Sequence, residues 1–453
     1  MEKKNTWETY SSKQLKELEK INAQYRDFLD NGKTERECTI VNTIEKSGYR
    51  ELESLIKEGA ALKTGDKVYS VWMNKSIAMF QIGRKPMTDG MNILGAHIDS
   101  PRLDVKQNPL YEDGGFAYLD THYYGGVKKY QWVTIPLAIH GVIVKKDGTC
   151  VEINIGENED DPVFFVSDLL IHLAQEQLEK KAAKVIEGEA LDIIVGNKPL
   201  LIDKKDKKKD EKEAGKEAVK AGVLDILKET YDVHEEDFVS AELEIVPAGK
   251  AREAGFDRSM TLAYGQDDRV CAYTSMQAML DSDVTDRTMC CILVDKEEIG
   301  SVGATGMQSH FFENAVAEVM NLAGEYSELN VRRCLAHSCM LSSDVSSAFD
   351  PTYASSFDKK NVAYLGGGMV INKFTGARGK SGSNDANAEY LAHLRHIFDK
   401  AEVNFQTAEL GKVDLGGGGT IAYILALYGM NVIDSGVAVL NMHAPWEATS
   451  KAD

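Results

Sequence analysis

The stretch MCCILVDKEEIGS spans residues 289–301 and joins an apolar run to two adjacent carboxylates. Its first six residues predict a buried β-strand, and Asp295, Glu297 and Glu298 follow the end of that strand. Neighbouring side chains on an extended backbone point in different directions, so one carboxylate can bind a metal while the next acts as a general base. The structural alternative is a solvated turn, the commoner role of a charged pair after a strand.

A second apolar run, at residues 92–97, ends in a histidine. Asp99 follows His97 by two residues, and Pro101 marks the turn after the run. Side chains two residues apart on a strand share a face, so His97 can bind a metal through one ring nitrogen while Asp99 accepts a hydrogen bond from the other. The alternative is a histidine whose hydrogen bonds are satisfied near a turn.

Three further segments supply the same kinds of side chain. They are residues 334–344, which end in Asp344, residues 264–269, which contain Asp267 and Asp268, and residues 435–447, which contain His443. The second segment opens an amphipathic helical pattern over residues 270–280, for which Asp267 or Asp268 would be an ordinary N-cap. Together, two histidines and several carboxylates at strand ends suit zinc, manganese or cobalt better than a structural zinc site built from thiolates.

The order of the predicted elements indicates an α/β fold with a central mixed sheet flanked by helices. Ligands of such sheets bind at the carboxyl ends of the strands, where these side chains would lie. Residues 105–247 differ, because short Val, Ile, Tyr and Gly-rich runs predict antiparallel β structure. We therefore expect a metal-binding domain of residues 1–104 and 248–453, with an inserted, mainly β domain at 105–247. Within it, the charged segment 203–220 predicts a mobile loop running into a polar helix.

Composition excludes some partners and indicates a compartment. The chain has 453 residues and a formal net charge of −19, which argues against nucleic acid and anionic membranes as partners. Seven cysteines form no C-x-x-C pair, the N-terminus has no apolar signal core, and no run approaches the ~20 apolar residues of a spanning helix. These observations favour a reducing cytoplasm.

Four motifs, taken in order, resemble those of the M18 or aspartyl aminopeptidase family of metallopeptidases. They are HIDSPRL at residues 97–103, DKEEIGS at 295–301, SSD at 342–344 and MHAPWE at 442–447. The resemblance runs from about His97 to the C-terminus. It implies a zinc-aminopeptidase-like fold and two divalent metal ions, most often Zn²⁺, with Co²⁺ or Mn²⁺ as alternatives.

The resemblance also implies a role for each motif residue. One metal would be held by His97 and Asp344, and the other by Glu298 and His443. Asp267 would bridge the two ions; it is preferred to Asp268 because the family pattern places the bridging aspartate first in this pair.

Two more motif residues would act in the reaction that the family catalyses. Glu297 would be the general base, and Asp99 would support His97. The expected activity is removal of N-terminal residues, acidic or neutral, from peptides with a free N-terminus.

Other residues bear on substrate specificity and on the assembly of subunits. An acidic N-terminal residue needs a cation in the pocket, for which the candidates are Arg102, Lys373, Arg378 and Lys380. The family forms homododecamers in which a histidine of a neighbouring subunit reaches the active site; here Asp168 occupies that position, and His172 is a weak substitute. On residues alone, His172 is a core histidine of a helical stretch.

Two rival functions come from other classes. One is a related metal-dependent amidohydrolase that removes acyl groups or C-terminal residues. The other is a non-catalytic, metal-dependent assembly protein, suggested by the large insert. The adjacent pair of Glu297 and Glu298 argues against the second, because a scaffold needs no general base.

Overall fold

A computed structural model describes residues 5–200 and 217–453, with the backbone alone at residues 41 and 42. Most of the charged segment 203–220 therefore lies outside the described residues. The chain divides into two compact units: the first comprises Met1–Ser100, Ala251–Met442 and Trp446–Asp453, and the second Pro101–Lys250 and His443–Pro445. The domain boundaries expected from sequence stay a prediction.

The described residues form twenty β-strands. In chain order these are β1 (Arg50–Glu51), β2 (Lys67–Trp72), β3 (Ser76–Gln81), β4 (Asn92–His97), β5 (Arg102–Asp113), β6 (Phe116–Tyr124), β7 (Leu137–Val144), β8 (Cys150–Ile155), β9 (Ile193–Gly196), β10 (Ala241–Pro247), β11 (Arg252–Ala254), β12 (Met260–Ala263), β13 (Met289–Val294), β14 (Cys339–Ser343), β15 (Ser346–Ser347), β16 (Met369–Asn372), β17 (Phe405–Thr407), β18 (Asn431–Gly436), β19 (Ala438–Leu440) and β20 (Glu447–Ser450).

The same parts of the chain form twelve α-helices. These are α1 (Ser12–Asn31), α2 (Glu35–Cys38), α3 (Val41–Lys46), α4 (Leu52–Glu58), α5 (Gln175–Leu178), α6 (Ala182–Val185), α7 (Ala218–Tyr231), α8 (Gln266–Asp281), α9 (Phe311–Leu322), α10 (Glu328–His337), α11 (Ala388–Lys400) and α12 (Ala422–Ala426). Short 3-10 turns, including Ile171–Leu173 and Glu297–Ile299, connect several elements.

The first unit is built on a nine-stranded mixed sheet. Its strand order is β1-β2-β3-β13-β4-β14-β18-β16-β17. The four central strands β13, β4, β14 and β18 run parallel, whereas β3 and β16 pair antiparallel to their neighbours in this group. In the register of β13 and β4, Val294 lies opposite His97, so the segments after these strands begin side by side at one edge. The predicted central mixed sheet is confirmed.

Both faces of this sheet are covered by helices, as the continuous apolar run of β13 requires. Cys290, Ile292 and Val294 pack into a core with α4, α9 and α12, while Cys291 and Leu293 pack on the other face with α1 and α8. Successive strand residues point to opposite faces, which is why every residue of the run except the first is buried. Full burial of a large apolar side chain contributes roughly 1.5–3 kcal/mol to the free energy of unfolding, so β13 stabilises both cores.

Helix α1 shows how local sequence determines an element boundary. Ser11 accepts a hydrogen bond from the Gln14 N–H, and the Gln14 side chain returns to the N-cap backbone, a capping box. The helix therefore begins at Ser12. Its buried residues include Tyr25 and Phe28, which pack on α8 through the ring of Tyr273.

A second sheet of the first unit supports the start of α8. Its strand order is β11-β12-β20-β19-β15, and Ala263 of β12 lies opposite Glu447 of β20. Because α8 begins three residues after Ala263, this pairing places Glu447 close to the beginning of that helix.

The second unit contains a six-stranded sheet whose pairs are all antiparallel. Its order is β8-β7-β10-β5-β6-β9. Helix α7 contains residues 218–220, the described end of the charged segment, and packs on β6 and β9. The mainly β character predicted for the inserted part of the chain is confirmed.

The segment that ends in Asp344 contains parts of two elements, because α10 ends at His337 and β14 begins at Cys339. The seven cysteines all lie in described ranges, and each is a free thiol. Among the helices that the structure describes, none has the length and apolar character needed to span a bilayer.

Candidate metal centre

Three side chains from separate elements meet at the carboxyl edge of the nine-stranded sheet. His97 ends β4, Asp344 follows β14, and Asp267 lies in the first turn of α8. Each offers one ligand atom, and these atoms all lie within 4.8 Å of one another. His97 Nε2 is 3.2 Å from Asp267 Oδ1, and both side chains are almost fully buried. The group is therefore close enough to share one ion.

Asp99 fixes both His97 and the turn that carries the two glutamates. His97 Nδ1 lies 3.3 Å from Asp99 Oδ1 and 3.0 Å from the Asp99 backbone carbonyl oxygen, and the role of Asp99 as an orienting carboxylate stays a prediction. The same carboxylate accepts the Glu297 N–H at Oδ1 and the Glu298 N–H at Oδ2, each at 3.1 Å. Asp99 is fully buried, so these hydrogen bonds form in a medium with little competing water.

The sequence suggested that the two glutamates lie on extended backbone, and this prediction was wrong. Glu297–Ile299 is a 3-10 turn entered through Lys296 at φ +70°. The turn exposes both backbone N–H groups to Asp99, which an extended strand end would not do. Glu297 Oε2 lies 4.0 Å from His97 Nε2, and 15% of the Glu297 side chain is exposed, so this carboxylate borders both the buried group and solvent.

Asp267 and Asp268 are not helix caps, so that alternative was wrong. The N-cap residue of α8 is Gly265, no side-chain capping bond forms, and both aspartates have non-helical backbone angles. The Asp267 N–H donates to Glu447 Oε2 at 3.0 Å, and its carbonyl accepts from Ser100 Oγ at 2.8 Å. Asp267 thus has its backbone held on both sides.

The site concentrates negative charge in a buried space. Burial raises the pKa of Asp268 and of Asp344 well above the ordinary value, and neighbouring carboxylates add to both shifts. Burial alone would lower the pKa of His97, but hydrogen bonds to Asp267 and Asp99 outweigh it and raise that pKa well above its usual range. A divalent cation would compensate this charge, and nitrogen with carboxylate oxygen is a donor set that zinc accepts. The residues present therefore fit the metal.

The remaining predicted ligands are Glu298 and His443, and a carboxylate oxygen of Glu298 lies within 4.8 Å of one of Asp267. Glu298 is half-buried in the turn held by Asp99. His443 belongs to the second unit, where its Nδ1 is 3.1 Å from the carbonyl oxygen of Gly126. Donation of an Nδ1 proton to that carbonyl would fix the imidazole tautomer and leave Nε2 as the ligand atom.

Arg102, a candidate for binding an acidic substrate, is already engaged within the second unit. Its Nε lies 2.8 Å from Asp104 Oδ1 and 3.2 Å from Glu244 Oε2. Its guanidinium also stacks over the ring of Tyr124, with 3.9 Å between Cζ and the ring centroid. Two carboxylates thus balance its charge.

The other three candidate cations lie close together in sequence. Lys373 and Lys380 both form ion pairs with Asp385, the second at 2.9 Å. Arg378 is exposed, and within the described parts of the chain it makes no ion pair. Arg378 is therefore the candidate whose charge is not offset by any carboxylate among the residues that the structure describes.

His172 is not a core histidine. It lies in the 3-10 turn Ile171–Leu173 and is exposed, so the burial expected from its apolar neighbours was wrong. Asp168 accepts hydrogen bonds from the Leu169 N–H and from Gln177 Nε2.

Three residues that the sequence analysis did not single out hold the site together. They are Ser100, Gln266 and Glu447. Ser100 and Glu447 lie inside recognised motifs, yet their contacts with Asp267 could not be read from spacing. The contact of Glu447 depends on pairing between β12 and β20, and that of Ser100 joins residues 167 positions apart.

A buried nitrogen-and-oxygen metal site at the carboxyl edge of a mixed α/β sheet defines a metal-dependent hydrolase. Comparisons with known proteins narrow this class. A family profile described as Aminopeptidase I zinc metalloprotease (M18) matches residues 28–453. A probable M18 family aminopeptidase 1 of Clostridium acetobutylicum is 63% identical over 454 residues, which cover 100% of this chain and 96% of the relative.

Solved structures agree. The crystal structure of an M18 family aminopeptidase from Thermotoga maritima matches with a TM-score of 0.92 at 44% identity, covering 100% of this chain and 96% of that one. Aminopeptidase I from Clostridium acetobutylicum matches with a TM-score of 0.91 at 60% identity and the same coverage. The chain belongs to the M18 family of aminopeptidases, which are zinc metalloproteases. The family resemblance and the aminopeptidase function are confirmed, and neither rival function is supported.

Proposed function

We propose that this aminopeptidase binds two divalent ions, most often Zn²⁺, and removes N-terminal residues from peptides. Asp267 would contribute to both ligand sets, which His97 and Asp344 would complete for one ion and Glu298 and His443 for the other. The observation that carries the proposal is the convergence of His97, Asp267 and Asp344 ligand atoms to within 4.8 Å of one another.

Chain connectivity supports a role for His443 in the second ligand set. The segment His443–Pro445 is flanked on both sides by residues of the first unit, Met442 and Trp446. Glu298 is supplied by the turn that Asp99 holds. Both side chains are half-buried, as expected of ligands at a position that substrate must reach.

The residues divide the chemical work. Bound zinc would act as a Lewis acid, which would lower the pKa of water and polarise the scissile carbonyl. Glu297 accepts the proton of the attacking water and returns it to the leaving amine. Asp99 holds Glu297 through its backbone N–H, which keeps the base in position as its charge changes. The acidic group of carboxylates provides the docking point for a free α-amino group.

The enzyme has two candidate preferences for the side chain of the substrate's N-terminal residue, acidic or neutral. The sequence resemblance favours an acidic N-terminal residue. The ion pairs of Lys373 and Lys380 with Asp385 favour neutral residues instead, because a buried substrate carboxylate needs a cation that is not already paired. Arg378 is then the residue through which acidic substrates would be recognised.

Self-association is the proposed partner interaction, with a homododecamer as the expected state. A structure described as the S. cerevisiae mApe1 dodecamer matches this chain with a TM-score of 0.75 at 20% identity, covering 96% of this chain and 93% of that one. The second unit carries a run of exposed apolar side chains, here called the apolar segment. Its members are Val163, Phe165, Leu169, Leu170, Ile171, Leu173 and Leu178. Exposed apolar groups at this density are typical of surfaces that bury against another protein, and we assign a second copy of this chain as the occupant.

The proposed compartment is the cytoplasm. Seven free thiols, five of them buried, support a reducing environment, because a secreted protein of this composition would form disulfides.

Metal analysis combined with an activity screen tests the proposed function. We expect chelator-treated protein to lose activity and added Zn²⁺ to restore it, with dipeptides bearing a free amine cleaved and their acetylated counterparts resistant. Comparing Asp-, Glu- and Leu-anilides then separates the two preferences. Efficient cleavage of acetylated dipeptides would contradict the aminopeptidase assignment.

A further inference from the structure

A saturated hydrogen-bond network lies beneath the turn that carries Asp267. Gln266, the preceding residue, is fully buried. Its amide uses two donors and two acceptor positions, which is its full capacity. Oε1 accepts from Thr449 Oγ1 at 2.7 Å and Tyr25 OH at 3.3 Å, and Nε2 donates to the carbonyls of Glu447 at 2.7 Å and Thr261 at 3.1 Å. The network therefore has one satisfied arrangement, and a shift of Gln266 would break several bonds.

Glu447 contributes twice to this arrangement. Its backbone carbonyl holds Gln266, and its side-chain Oε2 accepts the Asp267 N–H at 3.0 Å. The Glu447 side chain is 1% exposed, so its carboxylate faces the turn rather than water. Glu447 therefore holds two successive residues, Gln266 through its backbone carbonyl and Asp267 through its carboxylate.

Ser100 acts from the opposite side of the same residue. Its Oγ donates to the Asp267 carbonyl at 2.8 Å, and Ser100 is fully buried. Both polar groups of the Asp267 backbone are thus bonded to buried side chains. The side chain of Asp267 is left to face His97 Nε2 at 3.2 Å.

We infer that Glu447, supported by Gln266, is a positioning residue that holds the Asp267 carboxylate at ligand distance before any ion binds. Glu447 does not itself touch substrate or metal; it acts through the backbone of Asp267. The inference rests on the proposed function, in which Asp267 is the bridging ligand. Preorganisation of this kind raises metal affinity because the site need not rearrange on binding.

Replacing Glu447 tests the inference through zinc affinity, measured by competition with a chromophoric chelator. We expect Glu447→Ala to weaken zinc binding by roughly 10–100-fold, the usual effect of removing a partner that orients a ligand. Glu447→Gln keeps an oxygen that accepts the Asp267 N–H, so its affinity should stay closer to that of the unchanged protein than to that of Glu447→Ala. Equal loss in both variants would overturn the positioning role.

A control separates positioning from general loss of stability. Glu253 lies on β11 of the same five-stranded sheet and pairs with Lys451 at 3.0 Å. We expect Glu253→Gln to lower the melting temperature while zinc affinity is unchanged. Thr449→Val, a nearly isosteric change, removes one donor to Gln266 and should weaken zinc binding without unfolding the protein. If Glu253→Gln weakens zinc as much as Glu447→Ala does, the inference fails.

Asp267→Asn distinguishes failure of the inference from failure of the proposed function. Zinc binding that survives Asp267→Asn would remove Asp267 from the ligand set and the proposed function with it. Zinc binding that is lost in Asp267→Asn but unchanged in Glu447→Ala would leave the ligand set intact and overturn the positioning role alone.

Discussion

Asp99 links two segments that are far apart in the chain. The sequence predicts it as the partner of His97, two residues away, and the two side chains lie 3.3 Å apart. Its hydrogen bond to the Glu297 N–H spans 198 residues and was not predicted, because that N–H becomes available only in the 3-10 turn. One carboxylate therefore positions both a proposed metal ligand and the proposed base.

Glu297→Gln tests the assignment of the base. The amide cannot accept a proton, so we expect turnover to fall by about 10²–10⁴-fold, the usual contribution of general-base catalysis. Zinc content should stay unchanged, because Glu297 is not among the proposed ligands. Turnover is measured on a Leu-anilide, with zinc measured by elemental analysis of the same preparation; normal turnover would remove Glu297 from this role.

A second prediction for a single residue concerns Asp434, through which the stability of the protein should depend on pH. Burial raises its pKa to about 7 from an ordinary 3.8, although a hydrogen bond from Thr420 Oγ1 at 2.5 Å opposes the shift. Between these two pH values the folded protein keeps a proton that the unfolded chain has lost. The contribution of Asp434 to the free energy of unfolding is therefore complete below the ordinary pKa of 3.8, and it is lost as pH rises through the folded-state pKa of about 7.

Asp434→Asn should remove this dependence, since the amide is neutral and still accepts from Thr420. We expect the free energy of unfolding of Asp434→Asn, relative to the unchanged protein, to rise steadily between about pH 4 and pH 7. Urea unfolding at several pH values measures the difference. A difference that does not vary with pH would show that Asp434 titrates normally.

At the scale of elements, the parallel register of the central strands decides where the site forms. Val294 lies opposite His97, and β14 runs parallel to β4, so the segments after these strands emerge at one edge. Helix α8 adds Asp267 to this edge through a turn that begins at Gly265, whose φ is +70°. A β-carbon at Gly265 would lie 1.7 Å from Arg269 Nη1, a buried group, so the turn requires glycine.

Gly265→Ala should be markedly destabilising. Left-handed backbone costs an alanine roughly 1–2 kcal/mol, and forcing the β-carbon against Arg269 adds about 1–3 kcal/mol. Gly59→Ala is the matched control, because Gly59 is also left-handed at φ +61° but has open space around it. Chemical denaturation of both variants measures the two losses; equal losses would mean that Arg269 moves aside freely.

At the scale of the whole molecule, exposed apolar surface is concentrated in the second unit. Leu170, Ile171 and Leu173 are 54%, 67% and 68% exposed and follow one another closely. Surface of this kind is normally covered in the working protein. In the proposed self-association, a second copy of this chain would cover this apolar surface. The active-site residues need take no part in that contact.

Ile171→Glu should weaken self-association, because a charge placed in an apolar interface loses its water without gaining a partner. Size-exclusion chromatography with light scattering should show the unchanged protein as a large assembly and the variant as smaller species. Leu427→Glu, at an apolar position of the first unit that is even more exposed than Ile171, is the control and should leave the assembly intact. Ile171→Glu with an unchanged mass would exclude this segment as the interface.

The sequence by itself determined the fold class and the chemistry of the site. Apolar runs such as residues 289–294 specify strands through their own periodicity, and histidine and carboxylates at strand ends indicate a metal because those donors suit one. Both are local properties, readable within a few residues.

Only the tertiary structure decided the positions that depend on distant contacts. This group includes the convergence of His97, Asp267 and Asp344, the hydrogen bonds of Asp99 to the turn at Glu297, and the hold of Glu447 on Asp267. Each of these depends on strand pairing or packing between segments far apart in the chain, and such contacts leave no signature in local spacing.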